Sequence, residues 1–156
     1  MRTIMLFAVL VLGLAACKKD KYTTAPQIKL KDVSPNYAIS GLGTTRDNAP
    51  KLTLEVTDAE GDLGFISGVD TSKIFIKNLK SNNVDSFLLP DIQTSAVKNF
   101  KADIIVSLYD GLECIEPPVQ WPVTDTLAFE VYIVDFAKNK SNVITTNDKP
   151  VYYRCE

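Results

Sequence analysis

Asp58, Glu60 and Asp62 stand two residues apart in the stretch EVTDAEGDLG. Carboxylates at i, i+2 and i+4 of a tight loop can aim at one point, and Gly61 relieves the bend this requires. That is hard-cation chemistry: calcium takes about six to eight oxygens at about 2.3–2.6 Å and tolerates irregular geometry. One such loop supplies too few ligands, so a second element must help. Asp135 and Asn139, in VDFAKNKSN, are the candidates. The same acids have a plainer role, because Asp and Gly are ordinary turn residues and Asp58 can cap a turn with no ion present. An EF-hand is excluded: the sixth position counted from Asp58 is Leu63 rather than Gly, and the twelfth is Val69 rather than Glu.

Other chemistry is sparse. The chain has 156 residues and no histidine, which removes Ser-His and Cys-His triads and the usual His-bound catalytic zinc. No nucleophile elbow or P-loop occurs, and SGLGTT, with two glycines and no following helix, reads as a turn. Glu113 and Glu116 stand near Trp121, and a carboxylate pair can hydrolyse glycosides without histidine. They sit in a loop of a small domain with no sign of a deep cleft, so an enzyme is not expected. The loop LECIEPPVQWP is stiffened by its prolines. Trp121 in it is either a recognition residue or a lid folded over the core edge.

Those residues need elements to hold them, and most of the chain supplies period-two alternation. KLTLEVT puts Leu52, Leu54 and Val56 on one face; TLAFEVYIVD does the same with Leu127, Phe129, Val131 and Ile133; ADIIVSLYD does so with Ile104, Val106 and Leu108. SKIFIKNL and VDSFLLP are shorter strand candidates joined by the turn signal KSNN, QIKLKDV reads as the first strand, and SNVITT or PVYYRC as the last. TSAVKNFKADI is the one stretch with room for a short helix. About seven strands at this spacing predict an all-β fold, an antiparallel β-sandwich of immunoglobulin or fibronectin-III type over residues 28–156, with a small closed barrel as the competing architecture. In the sandwich the strand ending at Asp58 would be the second and the strand Leu127–Val134 the sixth. Those two run the same way, so the loops after them share one end of the domain, which would bring Asp135 to face Asp58, Glu60 and Asp62.

The N-terminus reads as an export signal. Arg2 precedes an uncharged apolar run, Ile4–Ala16, that is shorter than the roughly 20 helical residues a bilayer core needs. Cleavage after Ala16 removes Arg2 and takes the net charge from −2 to −3, too small and too scattered for nucleic acid. Residues 17–27 then form a polar tether. With Cys17 at its head, Cys114 and Cys155 remain, and an even pair in an oxidising compartment suggests a disulfide, two separate thiols being the alternative.

Several of these stretches resemble known families. LAAC at 14–17 resembles the lipobox of bacterial lipoproteins, which implies acylation of Cys17 and an outer-membrane anchor facing the periplasm or the cell surface. CKKDKY is similar to the export signal of Bacteroidota surface lipoproteins, with Lys21 where a second acid is usual. TDAEGDLG resembles the calcium-binding loop of cadherin-like bacterial domains, with Glu60 in place of Asp and without their interdomain linker motif. IVDFAKNKSN is similar to the strand ending of bacterial immunoglobulin-like and fibronectin-like domains, with Lys138 in place of Gly. Together the resemblance is to small single-domain immunoglobulin-like lipoproteins of Bacteroidota. It implies a ligand- or partner-binding module, its loops ordered by calcium, acting on an envelope protein or a glycan. The alternative is a structural spacer or assembly component of the outer membrane.

Overall fold

The structure, a computed structural model, describes residues 22–66, 70–89, 98–114 and 121–156. The leader, Cys17, the first part of the tether and Glu116 lie outside them. The strands in chain order are β1 (Gln27–Ser34), β2 (Tyr37–Ile39), β3 (Lys51–Asp58), β4 (Phe65–Ile66), β5 (Asp70–Thr71), β6 (Lys73–Asn78), β7 (Val84–Leu88), β8 (Phe100–Ser107), β9 (Val123–Leu127), β10 (Phe129–Val134), β11 (Ile144–Thr145) and β12 (Val151–Cys155). They form sheets in the orders β1-β3-β8, β11-β10-β6-β7 and β2-β12-β9, with β4 and β5 making a short ladder of their own. The protein is all-β, as its alternation predicts, and none of these sheets closes into a barrel. The stretch with room for a helix enters β8 at Phe100; its residues 94–97 lie outside the described residues.

Alternation explains the inward faces. Leu52, Leu54 and Val56 of β3 and Phe129, Val131 and Ile133 of β10 are fully buried, and with Ile74 and Ile76 of β6 they belong to one hydrophobic core. Each such side chain contributes about 1.5–3 kcal/mol through apolar burial. β1 shows how a break in period is absorbed. Ile28 and Leu30 share one parity, yet Val33 has the other and is also buried. The register with β3 slips between Leu30 and Asp32, so Lys31 is the extra residue of a bulge and Val33 turns inward opposite Leu52.

Two features depart from the expected pattern. The alternation of Leu127–Val134 reads as one strand, but the chain changes sheets at Ala128: β9 pairs with β12 and β10 with β6. Leu127 and Phe129 are both fully buried, so the pattern of apolar residues continues unbroken across the change. In addition, β2 runs parallel to β12 where an antiparallel neighbour was expected.

Register fixes what lies at each end. Asp58 of β3 pairs with Phe100 of β8, and Lys51 pairs with Ser107. The seven residue steps between make the two ends of β3 about 23 Å apart. At the Lys51 end, Cys114 and Cys155 form a disulfide across a sequence separation of 41, with Cα atoms 5.9 Å apart. It joins the segment after β8 to the last residue of β12.

Candidate metal centre

At the other end β3 delivers Asp58 into the protein, fully buried. The chain then reverses through Ala59–Asp62, with Gly61 at φ +68°, a conformation that side-chain-bearing residues resist. One carboxylate oxygen of Asp58, Oδ2, accepts from the N–H of Gly61 at 2.7 Å and of Asp62 at 3.2 Å. The other, Oδ1, is buried and has no hydrogen-bond partner among the described residues. Asp62 repeats the pattern: its Oδ2 accepts from the N–H of Ala137 at 3.3 Å, while its Oδ1 is buried and without a partner among the described residues.

Asp135 arrives from the end of β10, also fully buried. Asn139 holds it with two bonds, its N–H to Oδ1 at 2.7 Å and its Nδ2 to Oδ2 at 2.9 Å. Lys138 takes φ +70° between them and donates its N–H to the Asp135 carbonyl at 3.2 Å. It thus adopts the left-handed conformation that glycine takes freely and other residues resist, at a cost of about 1–2 kcal/mol. The two loops are stitched together: Phe136 N–H donates to the Asp62 carbonyl at 3.1 Å, and the hydroxyl of buried Ser72 reaches the same carbonyl at 3.4 Å.

One carboxylate oxygen from each of Asp58, Asp62 and Asp135 lies within 4.8 Å of the others. Oxygens on opposite sides of one calcium ion sit about 4.6–5.2 Å apart, so all three can reach the same ion. The grouping has an electrostatic cost in the protein alone. Burial, and then the neighbouring Asp62, push the Asp58 carboxyl up to about 6. Burial also raises Asp135; the bonds from Asn139 oppose that, and the charges of Asp62 and Glu60 add to it. A cation bound between them would reverse both effects.

The set of five expected ligands resolves into three converging acids and two residues with other partners. Glu60 is exposed, and its Oε1 accepts from the Thr24 hydroxyl at 3.2 Å. Asn139 aims Asp135 through the bonds above. The sequence pattern did not mark Ser72, a lone serine before a strand, or the backbone N–H groups of Phe136 and Ala137. Nor did it mark Thr23, whose carbonyl accepts the N–H of Ala59 at 3.1 Å and so ties the tether to the acidic loop. Elsewhere, Trp121 is 47% exposed just before β9, and Glu113 accepts both its bonds from Asn83 Nδ2 at 2.8 Å. Comparison with known protein families, with characterised proteins and with solved structures finds no match for this chain.

Proposed function

We propose that this chain is a lipid-anchored module of the cell envelope, an immunoglobulin-type sandwich in which Asp58, Asp62 and Asp135 bind calcium and thereby order the loops presented to a partner. The observation that carries the reading is a triangle of carboxylate oxygens, one each from Asp58, Asp62 and Asp135, small enough for one ion, on acids of which two, Asp58 and Asp62, have a buried Oδ1 without a partner among the described residues. Leaving buried carboxylate oxygens without partners is costly, and a hard cation satisfies them together. An all-oxygen donor set with no histidine or thiolate suits calcium or magnesium over zinc, and an irregular loop suits calcium over the octahedral demands of magnesium. The ion would take the three acids, with other oxygens completing its shell.

Anchoring at Cys17 gives the site a place. Nine residues, and so ten Cα steps, separate that cysteine from β1, a reach of at most about 35 Å. The tether enters at the acidic end, where Thr23 and Thr24 bond to Ala59 and Glu60. Calcium would therefore set both the loops and the angle at which the domain leaves its anchor. Isothermal titration of the purified chain with calcium chloride tests this. The expected outcome is one site per chain that is lost in Asp58→Asn; no binding heat, or an isotherm unchanged by that substitution, contradicts it.

A further inference from the structure

The end opposite the acids holds a cavity of about 390 Å³ between the 3-10 turns Gly41–Gly43 and Tyr109–Gly111 and strand β12. Gly41, Thr44, Tyr109, Asp110, Leu112 and Tyr153 line it. Its walls are fixed by short backbone bonds: Ser40 N–H to the Arg154 carbonyl at 2.8 Å, Leu108 N–H to the Pro50 carbonyl at 2.8 Å and Gly111 N–H to the Leu108 carbonyl at 2.9 Å. The disulfide closes the same end, so the shape is largely preformed, as small-ligand sites usually are.

Tyr153 singles the cavity out. It lines the cavity with only 7% of its surface exposed, and its hydroxyl, which is not among the buried unpaired atoms and bonds no described residue, is open to solvent and free to meet a ligand. The other polar groups are held ready. Arg46 grips Asp110 with both terminal nitrogens, Nη1 to Oδ2 at 3.1 Å and Nη2 to Oδ1 at 2.7 Å, and lies over the Tyr109 ring at 5.1 Å. Asp110 thus keeps acceptor lone pairs while its charge is balanced. The Thr44 oxygen accepts the Ile39 N–H at 2.9 Å, which leaves its own O–H to donate. Tyr109 and Leu112 supply flat apolar wall.

This lining sorts possible ligands. An anion would meet Asp110. An organic cation would compete with Arg46 for both the carboxylate and the Tyr109 ring. A neutral ring bearing several hydroxyls brings no charge against either Asp110 or Arg46, and so can share them where an ion would repel one of the two. Its O–H groups donate to Asp110, its oxygens accept from Thr44 and Tyr153, and its C–H face packs on the tyrosine. We infer that this cavity binds a neutral pyranose ring, with Asp110, Thr44 and Tyr153 reading its hydroxyls. The inference is independent of the calcium reading, from which it is separated by the length of β3.

Gly41 offers a clean block. It has φ +68°, and a Cβ placed there meets nothing within 4 Å, so asparagine, which tolerates that backbone, would project a side chain into the mouth without disturbing the core. The test is amide chemical-shift titration of the full chain in detergent with methyl β-D-glucopyranoside, methyl β-D-galactopyranoside, methyl α-D-mannopyranoside and N-acetylglucosamine. At least one should titrate saturably with a Kd of about 1–10 mM, shifting residues 41–44, 109–112 and 153. Gly41→Asn should abolish saturation with an unchanged melting temperature. Tyr153→Phe, which keeps the ring, should weaken binding about fivefold, the worth of one hydrogen bond. Calcium and chelator should leave it unaltered. Absence of saturable shifts with all four sugars overturns the assignment, as does binding that survives both substitutions. So does a response of the same residues to tetramethylammonium in place of the sugars.

Discussion

The two ends of this molecule are ordered by opposite means. At the Lys51 end a covalent bond between Cys114 and Cys155 fastens the last strand to the segment after β8, beside an aromatic-walled cavity. At the Asp58 end three carboxylates are drawn together against their mutual repulsion, and two of their oxygens have no partner among the described residues. One end is complete as the chain folds and oxidises. On the proposed reading, the other is complete only when a cation joins it. Both hang from the same strands, β3 and β8, so a shared core supports a fixed end and a conditional one.

Breaking the fixed end should have the largest effect. A loop of 41 residues closed by the disulfide contributes about 3–4 kcal/mol in the chain-entropy description. Reduction, or Cys114→Ser with Cys155→Ser, should lower the unfolding free energy by about that amount in urea titrations, while the calcium response of the remaining fold persists. Loss of both together would mean that the ends are not independent.

The conditional end should show itself next, through pH. The Asp58 carboxyl is raised in the folded protein to about 6, above its ordinary 3.8, and Asp135 is raised as well. The folded state therefore binds more protons than the unfolded one across that window. In chelator, the stability these groups contribute is fully present below about pH 4 and is lost as pH rises toward about 6. The loss should amount to about 2 kcal/mol, after allowing for solvent screening at the loop surface. With saturating calcium the sign reverses, because the ion favours the ionised acids and is displaced by protons. Guanidinium melts from pH 4 to 7 should thus give calcium and chelator curves that separate as pH rises. Asp58→Asn should flatten the chelator curve, since its remaining oxygen can keep the bonds from Gly61 and Asp62.

Within the acidic end the smallest effect should fall on Glu60. It is exposed and bonds only the Thr24 hydroxyl among the described residues. Glu60→Gln should change stability by less than about 0.5 kcal/mol and leave calcium affinity within twofold, as measured by the same titration calorimetry. A large loss of affinity would place Glu60 in the ion's shell and redraw the site.

How much of this was legible in the sequence depends on what each feature rests upon. The inward faces of β3 and β10 were, because side-chain alternation is itself the cause of their burial. The change of sheet at Ala128 was not, since Leu127 and Phe129 keep the alternation intact while only their partners differ. The acids at strand ends could be placed near one another from the direction of two strands. Spacing alone could not separate Glu60 from Asp58 and Asp62, because all three share one parity. The turn at Gly61 and the bond to Thr24 decide it. The cavity was invisible in a different way. SGLGTT reads as a turn and Tyr153 as a strand residue, and both readings are correct. Only the fold brings them beside Tyr109 and Asp110.

Thermal unfolding of the oxidised chain at pH 7, in calcium and then in chelator, tests the central claim most directly. An ion at a hundredfold excess over its Kd adds about 2.7 kcal/mol, which for a domain of this size raises the melting temperature by about 10 °C. The account predicts that rise in the wild type and its absence in Asp58→Asn. Superimposable wild-type curves in calcium and chelator would contradict it.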